Sequence, residues 1–485
     1  MRTDVAGVPV PHLGSAYVGG DWVSATGPTR PVVSPASGRV VTEAVLPSVD
    51  EARAALDRAS GPEGRAWSAT EVSRRVAVCR RFCDALERRF DDMGAVWAVE
   101  AGMPVRYSRT LHRFGAAGAW RAALDSAEDA LRDERRDSPL GEVLVRREPA
   151  GVVAAVMAFN GPLVTVASKV VPALLAGCPV VVKAAPESQL VMRLVAECAA
   201  DAGVPAGALS ILCSEVDVAR EITADPRVAL VSLTGGRAAA QEIIDATRQR
   251  FARTHLELGG KSAALVLDDA PVDAVLRSLV PGATGGAGQV CALLSRILVP
   301  ESRHDELVAA LGTAWESLPM GDPLDPATAV GPLISAAARE RTEGFVERAV
   351  ADGARIVCGG RRPPGLDAGY FLEPTLLSGA SPDSEIVRRE VFGPVTVVQS
   401  FRDLEEGIRL AEDTEYGLAA TVYTRDRDLA MDVAGRLTVG SVAINTFGPT
   451  VTAPFGGRKC SGWGREGGPE GIREFTELKQ IVTGP

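Results

Sequence analysis

Two short segments carry residue types that together could do covalent chemistry on a carbonyl. His255-Leu256-Glu257-Leu258-Gly259-Gly260-Lys261 places one carboxylate at the end of an apolar run, just before a glycine pair. Gly285-Gly286-Ala287-Gly288-Gln289-Val290-Cys291 delivers one cysteine from a glycine-rich turn. A thiolate is the nucleophile for a covalent adduct, and a carboxylate is a base that activates the water releasing it. A cysteine is more often a buried small hydrophobe, and the other seven of the chain are read that way. Cys291 differs in its glycine neighbours, which suggest an open turn where a carbonyl reaches both the sulfur and nearby backbone N–H groups. Leu256, Leu258 and Gly259 favour a partly desolvated Glu257, and desolvation raises a carboxylate pKa toward that of a useful base. A capping or salt-bridged carboxylate is the competing reading.

These residues need a scaffold, and the surrounding periodicity describes one. From Ser48 to about Asp133, apolar residues recur at helical spacing between Arg, Asp and Glu. Glu142-Val143-Leu144-Val145-Arg146-Arg147 reads as an exposed strand or hairpin. Short apolar strands follow, each leading into a helix: Val152–Ala158 into 163–176, Val180–Lys183 into 187–202, Ser210–Leu212 into 217–223, and Val228–Leu233 into 237–250. That alternation implies a parallel, doubly wound sheet. A second α/β series begins at Ser262–Leu267 and runs through Arg296–Val299, 330–353, Val395–Ser400 and Val439–Asn445. Thr476–Thr483 alternates like an edge strand, and with 142–147 it forms a sheet-extension device for pairing subunits.

Composition narrows the class. At 485 residues the chain exceeds one compact core, so two or three domains are expected. A net charge of −10 without a basic cluster argues against nucleic acid or an anionic membrane as main partner. Met1 to Gly14 lacks the charged and apolar regions of a signal peptide. The longest apolar run, Val170 to Val182, is broken by Pro172, Gly177 and Pro179, too short to cross a bilayer. A soluble, cytoplasmic protein is the expectation. Eight cysteines without regular spacing imply reduced thiols, and with no CxxC pair and four scattered histidines no metal site is expected. Of 52 Lys plus Arg only Lys169, Lys183, Lys261, Lys459 and Lys479 are lysines. Drift in base composition explains that scarcity; the placement suggests sites where a compact, flexible ammonium is wanted.

Further segments fall in order along the chain. Asn160, in Met157-Ala158-Phe159-Asn160-Gly161-Pro162, follows a predicted central strand, and Asn-Gly taken alone is simply a turn dipeptide. Val180-Val181-Val182-Lys183 ends in a lysine at the carboxyl edge, where doubly wound sheets bind ligands. Thr234-Gly235-Gly236 before a helix suits a pyrophosphate, although it lacks the G-x-G-x-x-G spacing. Glu390-Val391-Phe392-Gly393-Pro394, Pro454-Phe455-Gly456-Gly457-Arg458-Lys459 and Ser461-Gly462-Trp463-Gly464-Arg465-Glu466 complete the set. From roughly Tyr17 to Val482 this succession resembles the NAD(P)-dependent aldehyde dehydrogenase superfamily, in its hydrolytic, non-acylating branch.

The resemblance implies an α/β fold with three parts. They are a Rossmann-like cofactor domain (1–133 and 150–256), an α/β catalytic domain (257–455) and a small β oligomerisation arm (134–149 and 474–485). It makes Cys291 the nucleophile, Glu257 the base for the hydrolytic water, and Asn160 the oxyanion donor beside the Cys291 backbone N–H. Lys169 and Glu466 relay the proton that the base takes up. Lys183 holds the adenosine ribose and Glu390 the nicotinamide ribose. Phe392 packs on the ring, Thr234, Gly235 and Gly236 face the pyrophosphate, and Phe159 and Leu258 complete the cofactor site.

Departures from the pattern bear on specificity. Pro186 stands where many NAD-preferring members carry a glutamate, with Glu187 displaced by one, so NAD and NADP both stay open and NAD is favoured. Ser214-Glu215-Val216 lacks the glycines often found there. Gly161 and Ser168 replace aromatic side chains of the substrate tunnel, with Phe447 and Phe455 also lining it. A bulky, hydrophobic or aromatic aldehyde is therefore the expected substrate, in a homodimer or homotetramer. Release of the acyl group to coenzyme A or phosphate is the alternative, which Glu257 argues against. A non-catalytic protein on the same fold is the other.

Overall fold

The computed structural model describes residues 3–448 and 450–483. An eight-stranded sheet runs in the order Gly462–Trp463, Arg253–Glu257, Val228–Thr234, Val152–Met157, Val180–Ala184, Leu209–Cys213, Ser15–Val18, Asp21–Ser24. The five strands from Arg253–Glu257 to Leu209–Cys213 are parallel. Parallel strands are covered on both faces, which is why Val153, Ala154, Ala155, Val180, Val181 and Val182 form unbroken buried runs. Helices pack on each face, giving two apolar cores divided by this sheet.

A seven-stranded sheet holds Arg355–Cys358, Thr375–Ser378, Val395–Phe401, Leu294–Pro300, Ser262–Val266, Ala419–Tyr423 and Ser441–Ile444, in that order. All its neighbours are parallel except the first pair. Glu257 ends a strand of the first sheet and Ser262 begins one of the second, so the Gly259-Gly260 turn joins the two. Thr476–Thr483 pairs antiparallel with Gly141–Pro149, which pairs with Glu134–Ser138, making a three-stranded arm.

The expected α/β architecture is present, with differences that have physical causes. The periodicity of 163–176 reads as one helix. The backbone instead runs as helix Pro162–Thr165, a π-helical turn Val166–Val170, and helix Val171–Ala176. An extra residue per turn re-aims side chains, and the turn carries Ser168 and Lys169. The helical part of 330–353 is confined to Ala336–Ala351, started where the Ser335 side chain accepts the Ala338 N–H. Two N-terminal strands, Ser15–Val18 and Asp21–Ser24, extend the first sheet; runs so short carry little periodic signal. Among the described residues, no helix is long and apolar enough to cross a membrane.

Candidate active site

Residues at i and i+2 of a strand share a face, so His255 and Glu257 point the same way from Arg253–Glu257. In the ladder with Val228–Thr234, Ser232 lies opposite His255 and Thr234 opposite Glu257. The other flank is closed by the C-terminal motif, where Gly462 pairs with Glu257 and Trp463 with Leu256. Ser461 latches the following turn. Its Oγ donates to the Gly259 carbonyl at 2.7 Å and accepts the Gly417 N–H at 3.0 Å. Gly456 leaves room for the base, since a Cβ there would stand 2.7 Å from Glu257 Oε1.

Glu257 is buried, and neither carboxylate oxygen has a hydrogen-bond partner. Burial, and then the nearby Glu466 carboxylate, push its pKa well above the ordinary range, against the pull of Lys169, Arg465 and the neighbouring Gly457 N–H. Lys169 Nζ, wholly buried, lies 2.7 Å from Glu466 Oε1 and donates to Ser232 Oγ at 3.0 Å. Ser232 Oγ lies 3.0 Å from His255 Nδ1. A buried polar line thus runs from Glu466 through Lys169 and Ser232 to His255, beside the base.

Cys291 reaches the same region from the second sheet. Gly286, Ala287 and Gly288 all hold positive φ, a conformation that favours glycine. These glycines also admit close backbone packing. A Cβ on Gly288 would sit 2.0 Å from the Gly393 carbonyl oxygen, and one on Gly260 would sit 2.6 Å from the Cys291 carbonyl. Cys291 is half-buried and lines a cavity of about 20 Å³ with Gly260, Gly288, Glu390, Phe392 and Gly393. Six of the other seven cysteines are buried, and Cys460 is half-buried. Burial, reinforced by the Glu390, Glu257 and Glu466 carboxylates, pushes the Cys291 thiol up to about 12. Asn160 leaves the Val152–Met157 strand and donates through Nδ2 to the Gln289 carbonyl at 2.8 Å. That contact pins its amide two residues from the sulfur. An amide carries two N–H donors, and one remains for another acceptor.

The candidate cofactor residues gather on the carboxyl side of the first sheet and across the turn. Glu390 accepts the Gly260 N–H at 3.2 Å, and a Cβ on Gly259 would lie 2.0 Å from its carboxylate. Burial raises the Glu390 pKa. A cavity of about 360 Å³ lies over Gly259 and Glu390, also lined by Arg237, Tyr416 and Cys460. The helix Arg237–Thr247 starts at Gly236 without a side-chain cap, leaving its first N–H groups for an anion, and the Thr234 Oγ1 beside it is buried and unpartnered. Leu258 is buried, and its N–H donates to the Ser461 carbonyl at 3.1 Å. Phe159 and Phe392 meet edge to face at 6.3 Å. Lys183, one residue before the end of its strand, is half-buried, its pKa lowered by burial against the pull of Glu187 and Glu215. Pro186 opens a 3-10 turn whose Glu187 pairs with Arg30 at 2.8 Å; Arg30 also holds Glu215.

The four tunnel candidates lie on separate elements. Gly161 precedes the Pro162–Thr165 helix, and Ser168 is buried in the π-helical turn with its hydroxyl unpartnered. Phe455 pairs with Glu466 through two backbone hydrogen bonds of 2.7 Å and so helps place that carboxylate. Phe447 packs on Gly282, where a Cβ would lie 2.7 Å from its ring, and faces a cavity of about 490 Å³ along Ser441–Ile444. Sequence reading missed Ser232, His255, Arg30 and Arg237. His255 carried a signal, two positions before Glu257 in the same apolar run. Ser232 is brought in by strand pairing, Arg30 from the Thr29–Val33 strand, and Arg237 from the first turn of the Arg237–Thr247 helix. Among the described residues, no His, Cys, Asp and Glu cluster could hold a metal ion.

Comparison with known proteins gives a consistent result. A family model described as the aldehyde dehydrogenase family matches residues 22–481. Geranial dehydrogenase of Castellaniella defragrans is 37% identical over 472 residues, spanning 96% of this chain and 98% of that protein. The 3-succinoylsemialdehyde-pyridine dehydrogenase of a Pseudomonas species is 35% identical, with 96% and 98% covered. Among solved structures, a Mycobacterium tuberculosis aldehyde dehydrogenase complexed with NAD+ superposes with a TM-score of 0.94 at 36% identity, covering 97% of this chain and 98% of that one. A betaine aldehyde dehydrogenase of Staphylococcus aureus in complex with NAD+ gives 0.93 at 32% identity, covering 96% and 94%.

Proposed function

The chain belongs to the aldehyde dehydrogenase family, and from that premise we propose that it oxidises a bulky, hydrophobic aldehyde to the carboxylic acid with NAD+. The observation that carries the reading is the meeting of three groups from separate elements. Cys291 lies at a cavity, Asn160 is anchored at the Gln289 carbonyl, and the unpartnered Glu257 carboxylate is close enough to oppose ionisation of the thiol.

The groups on the carboxyl side fit a nicotinamide dinucleotide. Lys183 would meet the adenosine ribose, the free N–H groups at Gly236 the pyrophosphate, and Glu390 the nicotinamide ribose. Phe159 and Phe392, with Leu258, would bound its ring end. When bound there, the nicotinamide supplies the hydride acceptor. Relatives complexed with NAD+ favour NAD over NADP. So does Glu187, which puts a carboxylate next to Lys183, although Arg30 holds it.

The protein's own residues do the rest. Cys291 Sγ, its proton lost to solvent, bonds to the aldehyde carbon as the C=O π pair moves to oxygen, while the Asn160 amide and the Cys291 backbone N–H hold that oxygen as it gains charge; one such donor is worth about 3–4 kcal/mol of barrier. After oxidation the acyl group stays on Cys291 as a thioester. Glu257 takes a proton from water, the hydroxide attacks the thioester carbon, and the acid leaves with the sulfur restored as thiolate. A base whose pKa is raised by burial suits that step. Glu466, held in place by Lys169, receives the proton.

The preference for a bulky substrate rests on Gly161 and Ser168 and on the relative named for geranial. We assign the eight-stranded sheet to cofactor binding and the seven-stranded sheet to catalysis. The arm, whose Glu134–Ser138 strand is largely exposed, is assigned to homo-oligomer contacts. Eight free cysteines suit a cytoplasmic setting. Initial rates over an aldehyde panel with NAD+ and NADP+ test the reading. Higher kcat/KM for long-chain and aromatic aldehydes with NAD+ is expected, and a preference for acetaldehyde overturns the substrate assignment.

A further inference from the structure

We propose that His255 is a positioning residue for the base, its Nε2–H docking the Glu257 carboxylate in the tautomer that Lys169 and Ser232 impose. This rests on the oxidation reading above, in which Glu257 deprotonates the hydrolytic water. The tautomer follows from donor counting along the buried line. An ammonium has only donors, so Lys169 Nζ donates to Ser232 Oγ at 3.0 Å. The Ser232 hydroxyl proton then goes to His255 Nδ1, also 3.0 Å away. With Nδ1 an acceptor, the ring proton of a neutral imidazole sits on Nε2. Neutrality is enforced by burial and by the charges of Lys169, Arg253 and Arg465 around the ring.

The proton so placed faces the base. His255 Nε2 lies 3.6 Å from Glu257 Oε1, and each atom is buried without another hydrogen-bond partner. Leaving such groups unpaired is costly, and a small rotation of the carboxylate closes the gap. The ring position is built for this. Gly464 has φ of +90°, and a Cβ there would lie 2.2 Å from His255 Cδ2. Phe475 meets the ring edge to face at 6.3 Å.

A donor to the ionised form lowers a carboxylate pKa, so His255 opposes the upward push of burial and Glu466 on the base. The other charged groups facing the pair are Lys169 from the π-helical turn, Arg253 from the same strand, and Arg465 from the C-terminal motif. In the docked position the base is held ionised.

The test compares pH profiles of steady-state turnover after the burst, where thioester hydrolysis limits, in wild type, His255→Phe, His255→Gln and Ser232→Ala. Loss of one hydrogen bond to a charged group predicts that His255→Phe moves the acidic limb upward by about one pH unit, tenfold in proton concentration. Ser232→Ala moves it the same way by less. His255→Gln, which restores an N–H donor, returns it toward wild type. Coincident profiles for wild type and His255→Phe overturn the proposal, as does His255→Gln shifted as far as His255→Phe, which marks a merely structural role. If His255→Phe does not fold, Ser232→Ala decides, and its profile lying on wild type overturns the proposal. Wild type that reduces NAD+ with no aldehyde overturns the oxidation reading and the inference together; an active wild type with unmoved profiles overturns the inference alone.

Discussion

Glu257 closes a strand flanked by ladder partners on both sides, whereas Cys291 leaves a turn in which three consecutive residues hold positive φ. On the strand, side-chain direction follows from the period of two, and the ladder supplies Ser232 and Thr234 opposite. At the turn, position comes from backbone contacts that only glycine permits, against Gly393 and beside Gly260. Glu257 is therefore placed by its ladder and Cys291 by main-chain packing. Substitutions should separate chemistry from stability differently in the two regions.

The largest contrast lies between the two reacting groups. Cys291→Ala should abolish both the NADH burst and turnover, a loss on the order of 10⁴-fold or more. Glu257→Gln should keep the burst and lower steady turnover by about 10²–10⁴-fold. Rapid-mixing absorbance separates these phases, and a burst missing from Glu257→Gln would mean that the base acts before the thioester forms.

Next comes the scaffold of the turn. Gly288→Ala puts a Cβ into the Gly393 carbonyl at φ of +75° and should destabilise the fold by about 3 kcal/mol. Ser461→Ala, which removes two hydrogen bonds beside the strand, should cost about 1–2 kcal/mol. Thermal midpoints at one scan rate would blur the contrast if Ser461→Ala proved the worse.

The smallest effect is one of pH. Because burial and three carboxylates hold the Cys291 thiol up to about 12, the thiolate is scarce below that pH and grows tenfold per unit as pH rises. Iodoacetamide labelling of Cys291 without cofactor should climb steadily from about pH 7 to 10. A plateau near pH 8 would show an activating charge absent from the geometry described.

Much of this was legible from residue types. Alternating strands and helices announced the parallel sheets, and the apolar neighbours of Glu257 announced its burial. Lys169 and Lys261, two of five lysines, prove buried, where the small ammonium fits. Burial lowers Lys261 to about 7. Lys459 and Lys479 instead sit in surface pairs with Glu412 and Glu148, positions an arginine fills as readily. The helical reading of 163–176 failed locally because a π turn preserves apolar content while shifting its phase.

By itself, then, the order of residues decided which atoms are candidates for chemistry and which elements carry them, since periodicity and glycine placement act over a few neighbours. Which groups surround the base was decided only by folding. Ser232, Lys169 and Glu466 reach His255 and Glu257 through a strand pairing, a π turn and a returning C-terminal loop. A pKa depends on distances and on exclusion of water, and those exist only once separate segments have packed together.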